Sequence, residues 1–205
     1  MITTKTLPQE ADKSRGEYKS RRAFDKNEGI LMAKNLFHQR GFDAVGIAEL
    51  TKTLNIKPPS LYAAYGSKAA LFEKCVEAYI EERNLPADEI LSDTDDIANA
   101  LNMLLQRAAV VYTQSSIIRG CMVAEGLRAN DPTARAISEK YCELSREYIR
   151  NYVSHGYPDS ANLVSDYIVT TLQGLSAAAS SGLSAPRALS VASFAGSAVI
   201  NLLAE

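Results

Sequence analysis

Two adjacent prolines and a nearby glycine place the strongest constraint on how this chain can fold. Pro58 and Pro59 cannot lie inside a helix, because proline fixes φ and lacks a backbone N–H, but they can begin one. Gly66 is suited to end that helix after about two turns. A helix this short is not stable alone in water. Other parts of the chain must therefore pack around it.

The flanking sequence predicts the helices that provide this packing. Asp25 is suited to cap a first helix over about residues 25–40, whose apolar residues recur at helical spacing. A second short apolar pattern predicts a helix over about residues 46–53. A turn at residues 54–57 leads into the proline-initiated helix, and Ser67 caps a fourth.

The remaining sequence is also helical in pattern, without β-type alternation. We predict an all-α protein of about nine helices, with a three-helix helix–turn–helix head and a larger helical bundle. The predicted boundaries are a basic flexible arm over residues 1–23, a DNA-binding head over 24–68, and a ligand-binding and dimerisation body over 69–205.

The charge is distributed unevenly between these parts. Residues 1–68 contain 12 Lys and Arg against 7 Asp and Glu, whereas residues 69–205 contain 10 against 17. A basic N-terminal third attached to an acidic remainder indicates an anionic partner for the first part only. Double-stranded DNA is the natural candidate.

Several classes of function lack support in the sequence. There is no uninterrupted apolar stretch of spanning length and no signal-peptide pattern, so we expect no membrane association and a cytoplasmic location. Cys75, Cys121 and Cys142 match neither a zinc pattern nor a disulfide framework. His38 and His155 are isolated, and no catalytic motif is present. We therefore expect neither an enzyme nor a metal or cofactor site.

One segment resembles a known family. "GFDAVGIAELTKTLNIKPPSLYAAYGSKAALF", Gly41 to Phe72, resembles the N-terminal signature of the TetR/AcrR family of bacterial transcriptional regulators. The matching positions are Gly41-Phe42, Ile47, Leu50, Asn55-Ile56, Leu61-Tyr62, Tyr65, Ser67-Lys68 and Leu71-Phe72. The Pro-Ser-Leu-Tyr-Ala-Ala-aromatic-Gly-Ser-Lys form and the preceding Arg22-Ala23-Phe24-Asp25 are similar to one subgroup.

The resemblance implies a homodimeric repressor that binds a palindromic operator and is released by a small-molecule effector. Such a protein acts in the bacterial cytoplasm and associates with the nucleoid when bound to DNA. One departure from the family pattern is the absence of a hydroxyl at Val45 and Gly46, where the second helix begins. That departure leaves open a helical interaction adaptor that has lost DNA binding. Cys121, near Arg119, leaves open a redox-sensing regulator.

The predicted DNA-binding residues lie in the arm and around the proline-initiated helix. Lys57 and Ser60 can reach a phosphate or a base edge, and the prolines can contact a thymine methyl or only begin the helix. Tyr65 can instead belong to the core of the head. The predicted set is Arg21, Arg22, Lys57, Pro58, Pro59, Ser60, Tyr62, Tyr65 and Lys68.

The resemblance also places an effector cavity and a dimer interface in the body. The cavity candidates are Met103, Arg107, Tyr112, Met122, Tyr141, Tyr148 and Tyr167. Small residues in the last two helices allow close approach of helix backbones, either between subunits or within one. The predicted dimer residues are Gly174, Ala178, Ala192, Ala195, Gly196 and Val199.

Overall fold

The computed structural model describes residues 24–82 and 85–204, and every regular element in that part of the chain is an α-helix. The ten helices are α1 (Lys26–Arg40), α2 (Ile47–Thr53), α3 (Pro58–Tyr65), α4 (Lys68–Glu81), α5 (Ala87–Ser92), α6 (Ile97–Thr113), α7 (Met122–Gly126), α8 (Pro132–Ser154), α9 (Ala161–Ser180) and α10 (Ala185–Leu203). We call α1–α3 the head and α4–α10 the body. The predicted all-α fold is confirmed.

The helix that the sequence pattern missed is α5. It follows Pro86, spans only Ala87–Ser92, and buries a single residue, Leu91. Two turns with one buried side chain do not generate a helical period that can be recognised in the sequence. The structure therefore contains one more helix, among the described residues, than the predicted nine.

Aromatic side chains build the core that holds the head together and joins it to the body. Phe37 of α1 lies 5.3 Å, ring centre to ring centre, from Phe72 of α4, and Phe42 lies 5.2 Å from the same ring. Leu50 of α2 and Leu61 of α3 are fully buried in this cluster. The cluster supplies the packing that the short α2 and α3 require.

The body has a second core centred on α6. Ten of the 17 residues of α6 are buried, and α10 lies along one side of it. Close approach is possible there because Gly196 faces Asn102, and a Cβ on Gly196 would come within 2.0 Å of the Asn102 Oδ1. Small residues of α10 thus serve packing within the subunit.

The helix α4 belongs to both parts. Over residues 68–76 it buries Leu71, Phe72, Cys75 and Val76 in the head cluster. Its second half carries Tyr79 and other residues into the body. An ion pair between the buried Lys34 of α1 and Glu82 fixes the far end of α4 against the head.

The helix α10 is long and apolar enough, by length and composition, to span a membrane. Only 33% of the most apolar 18-residue stretch of α10 is buried inside the subunit. Core helices of soluble proteins meet the same criteria, so the length and composition of α10 are only weak evidence for a membrane segment.

Candidate DNA-binding face and effector cavity

The turn between α2 and α3 sets the orientation of α3. Asn55 adopts a left-handed backbone conformation with φ of 51°, which asparagine tolerates better than most residues. Lys57 is the extended N-cap residue of α3, and Pro58 and Pro59 occupy its first turn. Gly66 ends the helix with φ of 82°. The predicted start and end of this helix are confirmed.

The inner face of α3 is anchored to the head by Leu61 and Tyr65. Only 5% of Tyr65 is exposed, and its hydroxyl donates a hydrogen bond to the carbonyl of Lys26 at 2.8 Å. Its ring meets Phe24 edge to face. Burial raises the pKa of Tyr65 to about 12, so its hydroxyl remains a donor. Tyr65 is therefore a core residue, and its place among the predicted DNA contacts is corrected.

The outer face of α3 is open to solvent. Tyr62, 47% exposed, points away from the head core, and the preceding polar and proline residues are exposed as well. The exposed predicted residues are Lys57, Pro58, Pro59, Ser60 and Tyr62. Five of the nine predicted DNA-binding residues thus share one surface at the start of α3.

Lys68 lies at the side of this surface, at the first position of α4. Its Nζ is 4.0 Å from the centre of the Phe42 ring, a cation–π geometry. Partial burial lowers the pKa of Lys68, and the nearby Asp43 and Asp131 act in the opposite direction. Ser67 caps α4 by accepting a hydrogen bond from the Ala70 N–H at 3.0 Å. The remaining predicted contacts, Arg21 and Arg22, lie outside the described residues.

The start of α2 shows the consequence of the missing hydroxyl. Gly46 is the N-cap, in extended conformation, and no side chain caps the helix. Val45 is fully buried, so it anchors the loop in the head core. A Cβ on Gly46 would meet nothing within 4 Å, so the position is open toward solvent.

A cavity of about 480 Å³ lies in the body. Its walls come from α4, α6, α7, α8 and α9, and Ala87 of α5 contributes at one edge. Exposed parts of Ile80, Leu144 and Tyr148 lie along its opening. This volume is in the range of small-molecule sites.

Three of the seven predicted cavity residues line this space: Tyr112, Tyr141 and Tyr148. Met122 instead belongs to the head cluster, where it is fully buried. The Tyr167 hydroxyl donates to the Ala195 carbonyl at 3.3 Å, on the α10 side of α9. The placement of these two residues in the cavity is corrected.

Met103 and Arg107 are also outside the cavity wall. Leu104 and Tyr112 of α6 face the cavity, and residues one position away point about 100° to the side. Met103, one position before Leu104, is half-buried beside Asn99, and Arg107 is exposed. Tyr79, Cys142 and Gln173 also line the cavity and were not among the predicted cavity residues. The helical spacing of Tyr79 after Phe72 and Cys75 is the signal by which it could have been identified as inward-facing.

Two phenols and a thiol meet at the inner end of the cavity. Tyr79, Tyr112 and Cys121 all line the cavity, and burial raises the pKa of each tyrosine well above its ordinary value, with the nearby Cys121 acting in the same direction. The Cys121 backbone N–H is held by the Ser176 Oγ at 2.8 Å. His38 of α1 stacks edge to face on Tyr79 at 5.0 Å and hydrogen-bonds the Gly120 carbonyl at 3.2 Å.

The predicted dimer residues fall into two groups. Ala192, Ala195, Gly196 and Val199 are buried against other helices of the same subunit, so a second subunit has no access to them, and their assignment is corrected. Gly174 and Ala178 retain some exposure. A Cβ on Gly174 would meet nothing within 4 Å.

Large apolar side chains, rather than small ones, form the outer surface of α9 and α10. Phe194 is 81% exposed and Leu163 is 61% exposed. Their helical spacing places Tyr167 and Gly174 on the Leu163 side of α9, and Val191 on the Phe194 side of α10. We call the residues Leu163, Tyr167, Gly174, Val191 and Phe194 the outer apolar face. Of these five residues, only Gly174 was among the predicted dimer residues, because that prediction was based on small residues.

Comparison with known proteins agrees with this arrangement of head and body. A family model described as "Bacterial regulatory proteins, tetR family" matches residues 30–75, which include α2 and α3. The HTH-type transcriptional repressor BdcR of Escherichia coli (strain K12) is 41% identical over 184 residues, which cover 90% of this chain and 93% of BdcR. The chain belongs to the TetR family of bacterial regulatory proteins.

A solved TetR-family structure extends the comparison to a DNA complex. CifR, as a triple cysteine mutant complexed with 26-base-pair double-strand operator DNA, superposes with a TM-score of 0.78 and 26% identity. The match covers 86% of this chain and 97% of CifR. This TetR-family chain is accordingly a DNA-binding transcriptional regulator, and its relatives are regulators rather than enzymes.

Proposed function

We propose that this chain is a homodimeric repressor that binds a palindromic operator through α3 and is released by a small-molecule effector. The main support for this proposal is that α3 has one buried face and one exposed face. Its inner face is fixed by Leu61 and Tyr65, while Lys57, Ser60 and Tyr62 are exposed. A recognition helix needs this combination of rigid support and free polar groups.

The exposed residues suit different parts of the DNA. Lys57 is positioned for a phosphate or a guanine edge, and Ser60 can donate to either. The Tyr62 hydroxyl is suited to a phosphate oxygen. Pro58 and Pro59 offer apolar surface for a thymine methyl. Head residues 24–68 act as the DNA-binding unit in this proposal, and residues 69–205 bind effector and partner subunit.

Lys68 is the proposed second phosphate contact. It lies at the N-terminus of α4, where free N–H groups and the helix dipole favour an anion. Leaving the Phe42 ring would cost about 0.5–1 kcal/mol at such a half-exposed site. A charge-assisted hydrogen bond to phosphate, worth about 1.5–3 kcal/mol, is sufficient to offset that loss. Arg21 and Arg22 complete the proposal as contacts in an adjacent minor groove.

A second copy of the chain is the proposed cover for the outer apolar face. Exposed side chains such as Phe194 and Leu163 are costly to leave in water and typical of an oligomer interface. Gly174, with open space above it, permits close approach of a partner helix. Two heads related by twofold symmetry fit a palindromic operator. The operator complex of the relative CifR supports this mode of binding.

Release by an effector requires a mechanical link between the cavity and the head. The helix α4 provides it, since Phe72 lies in the head cluster and Tyr79 lies on the cavity wall. His38 adds a second link, because it joins α1 to Tyr79 and to Gly120. Effector binding shifts α4, changes the spacing of the two heads, and weakens operator binding, typically by about 1–3 kcal/mol. Such a repressor acts in the bacterial cytoplasm.

The test is the salt dependence of operator binding. Purified protein is titrated against labelled DNA from beside its own gene, and against shuffled DNA of equal length, by fluorescence anisotropy at several salt concentrations. Lys57→Ala and Lys68→Ala should each reduce the slope of log affinity against log salt by about 1. Lys74→Ala, which removes an exposed lysine further along α4, is the control and should leave the slope unchanged.

Two results would contradict the proposal. Absence of binding to the adjacent DNA at low salt would favour an interaction adaptor. Unchanged salt slopes for both Lys57→Ala and Lys68→Ala would show that another surface contacts the DNA.

A further inference from the structure

The cavity wall carries no charged side chain in the part of the chain that the structure describes. Its 19 lining residues are apolar, aromatic, Cys, Ser or Gln. Charged groups close by are held by partners of their own: Glu77 accepts the Tyr141 hydroxyl at 3.0 Å, and Arg146 pairs with Glu143 and Asp166. A charged ligand would lose its hydration in this cavity without gaining a counter-ion.

The inner end of the cavity offers hydrogen-bond donors. Tyr79 and Tyr112 remain protonated at neutral pH, because burial raises the pKa of both phenols. Their shared neighbour in the cavity wall, the Cys121 thiol, is a weak acceptor. A stronger acceptor entering the cavity would form better hydrogen bonds with these two hydroxyls than the Cys121 sulfur can.

We propose that the effector is an uncharged, mainly apolar molecule with an oxygen acceptor at one end, such as a ketone carbonyl. The apolar part occupies the wall formed by Leu104, Val169 and Leu172, and the acceptor receives hydrogen bonds from Tyr112 and Tyr79. This assignment rests on the proposed effector-released repressor, and it specifies the chemistry of the effector. It also places the acceptor on Tyr79, whose ring meets His38 of α1 edge to face at 5.0 Å.

Four small molecules with similar skeletons test the assignment by isothermal titration calorimetry on the full chain without DNA. They are 4-phenylbutan-2-one, the ammonium 4-phenylbutan-2-amine, the carboxylate 3-phenylpropanoate, and butylbenzene, which lacks the acceptor. The ketone should bind about tenfold more tightly than butylbenzene, the effect of one additional hydrogen bond. The two ions should bind at least about tenfold more weakly than the ketone, because their charge is not compensated.

Matched tyrosine variants locate the acceptor. Tyr112→Phe removes one donor at the inner end and should weaken ketone binding about tenfold while leaving butylbenzene binding unchanged. Tyr141→Phe removes a hydroxyl from the same cavity wall, but that hydroxyl is directed to Glu77, so ketone binding should not change. Tyr79→Phe provides a second variant at the inner end, and thermal unfolding of each variant checks the fold.

Three outcomes would overturn the assignment: binding of the ammonium or carboxylate as tight as that of the ketone, equal binding of ketone and butylbenzene, and no binding of the ketone. Since the assay contains no DNA, its failure is separate from a failure of operator binding. A protein that binds its operator but not the ketone keeps the repressor function and loses this effector class.

Discussion

Two exposed surfaces of this chain differ in chemistry and in how they arise. The outer face of α3 is polar and basic, and begins with Lys57, Pro58 and Pro59. The outer apolar face of α9 and α10 is dominated by Phe194 and Leu163. A polar exposed surface on a rigid helix suits DNA, whereas an apolar one suits a second copy of the chain. In the proposed function, α3 contacts DNA and the outer apolar face contacts a second subunit, so the second surface affects operator binding only by pairing the two heads.

Phe194→Glu should have the largest effect. Phe194 is 81% exposed in the subunit, so the substitution leaves the fold intact but places a charge in the proposed dimer interface. We expect monomers by sedimentation velocity and a loss of operator affinity of at least about a hundredfold, because two linked heads bind far more tightly than one. Ile117→Glu changes another exposed apolar residue, between α6 and α7, and should preserve the dimer. A dimeric Phe194→Glu variant would reject the assignment of this surface.

Gly196→Ala, on the inner side of α10, is compared with Gly174→Ala, on the outer apolar face. The new Cβ would lie 2.0 Å from the Asn102 Oδ1 and 2.9 Å from its Cβ, so helix α6 or α10 must move. We expect the free energy of unfolding to fall by about 1–3 kcal/mol. Gly174→Ala meets open space within the subunit, so its effect should appear in dimer dissociation instead. Chemical denaturation at several protein concentrations separates a loss of subunit stability from a weaker dimer. If both variants behaved alike, the assignment of Gly196 to the inner side and of Gly174 to the outer side would be contradicted.

Tyr65→Phe and Tyr62→Phe test the two sides of α3. Tyr65→Phe removes the hydrogen bond to the Lys26 carbonyl and should lower the free energy of unfolding by about 1 kcal/mol, without changing the salt slope of operator binding. Tyr62→Phe should leave the unfolding free energy unchanged and weaken operator binding. The reverse pattern, measured by denaturation and anisotropy, would mean that α3 is turned the other way in the DNA complex.

Gly46→Ser should have the smallest effect. The extended N-cap conformation and the open space around Gly46 accommodate a serine whose hydroxyl can cap α2. We expect the unfolding free energy to rise by about 0.3 kcal/mol. Gly46→Ala, which adds a Cβ but no hydroxyl, is the control. A serine variant no more stable than the alanine variant would show that α2 does not use a side-chain cap.

The head was largely predictable because its signals are local. Proline, asparagine and glycine each restrict the backbone at their own position, so Pro58 and Gly66 mark the ends of α3 without knowledge of the rest of the fold. Leu61 is fully buried, as its apolar side chain on the inner face of α3 would indicate. The sequence left Tyr65 open between core and DNA, since a phenol suits both.

The body was less predictable because its sites depend on contacts between distant helices. Small residues in α10 indicated close helix packing, yet the sequence does not specify whether the neighbour is α6 or a second subunit; the structure selects α6 for Gly196. Similarly, a rotation of about 100° along α6 separates Leu104 on the cavity wall from Met103 outside it. Such angles are fixed by tertiary packing.

Hydroxyl-radical footprinting on DNA from beside the gene tests the central claim most directly. A symmetric dimer that reads DNA through α3 should protect two related half-sites, with centres separated by about 10–10.5 base pairs or a multiple of that distance. The Lys57→Ala variant should weaken protection equally in both half-sites, since each subunit contributes the same residue. Protection of a single half-site by the wild-type chain, or a pattern unaffected by Lys57→Ala, would contradict the account.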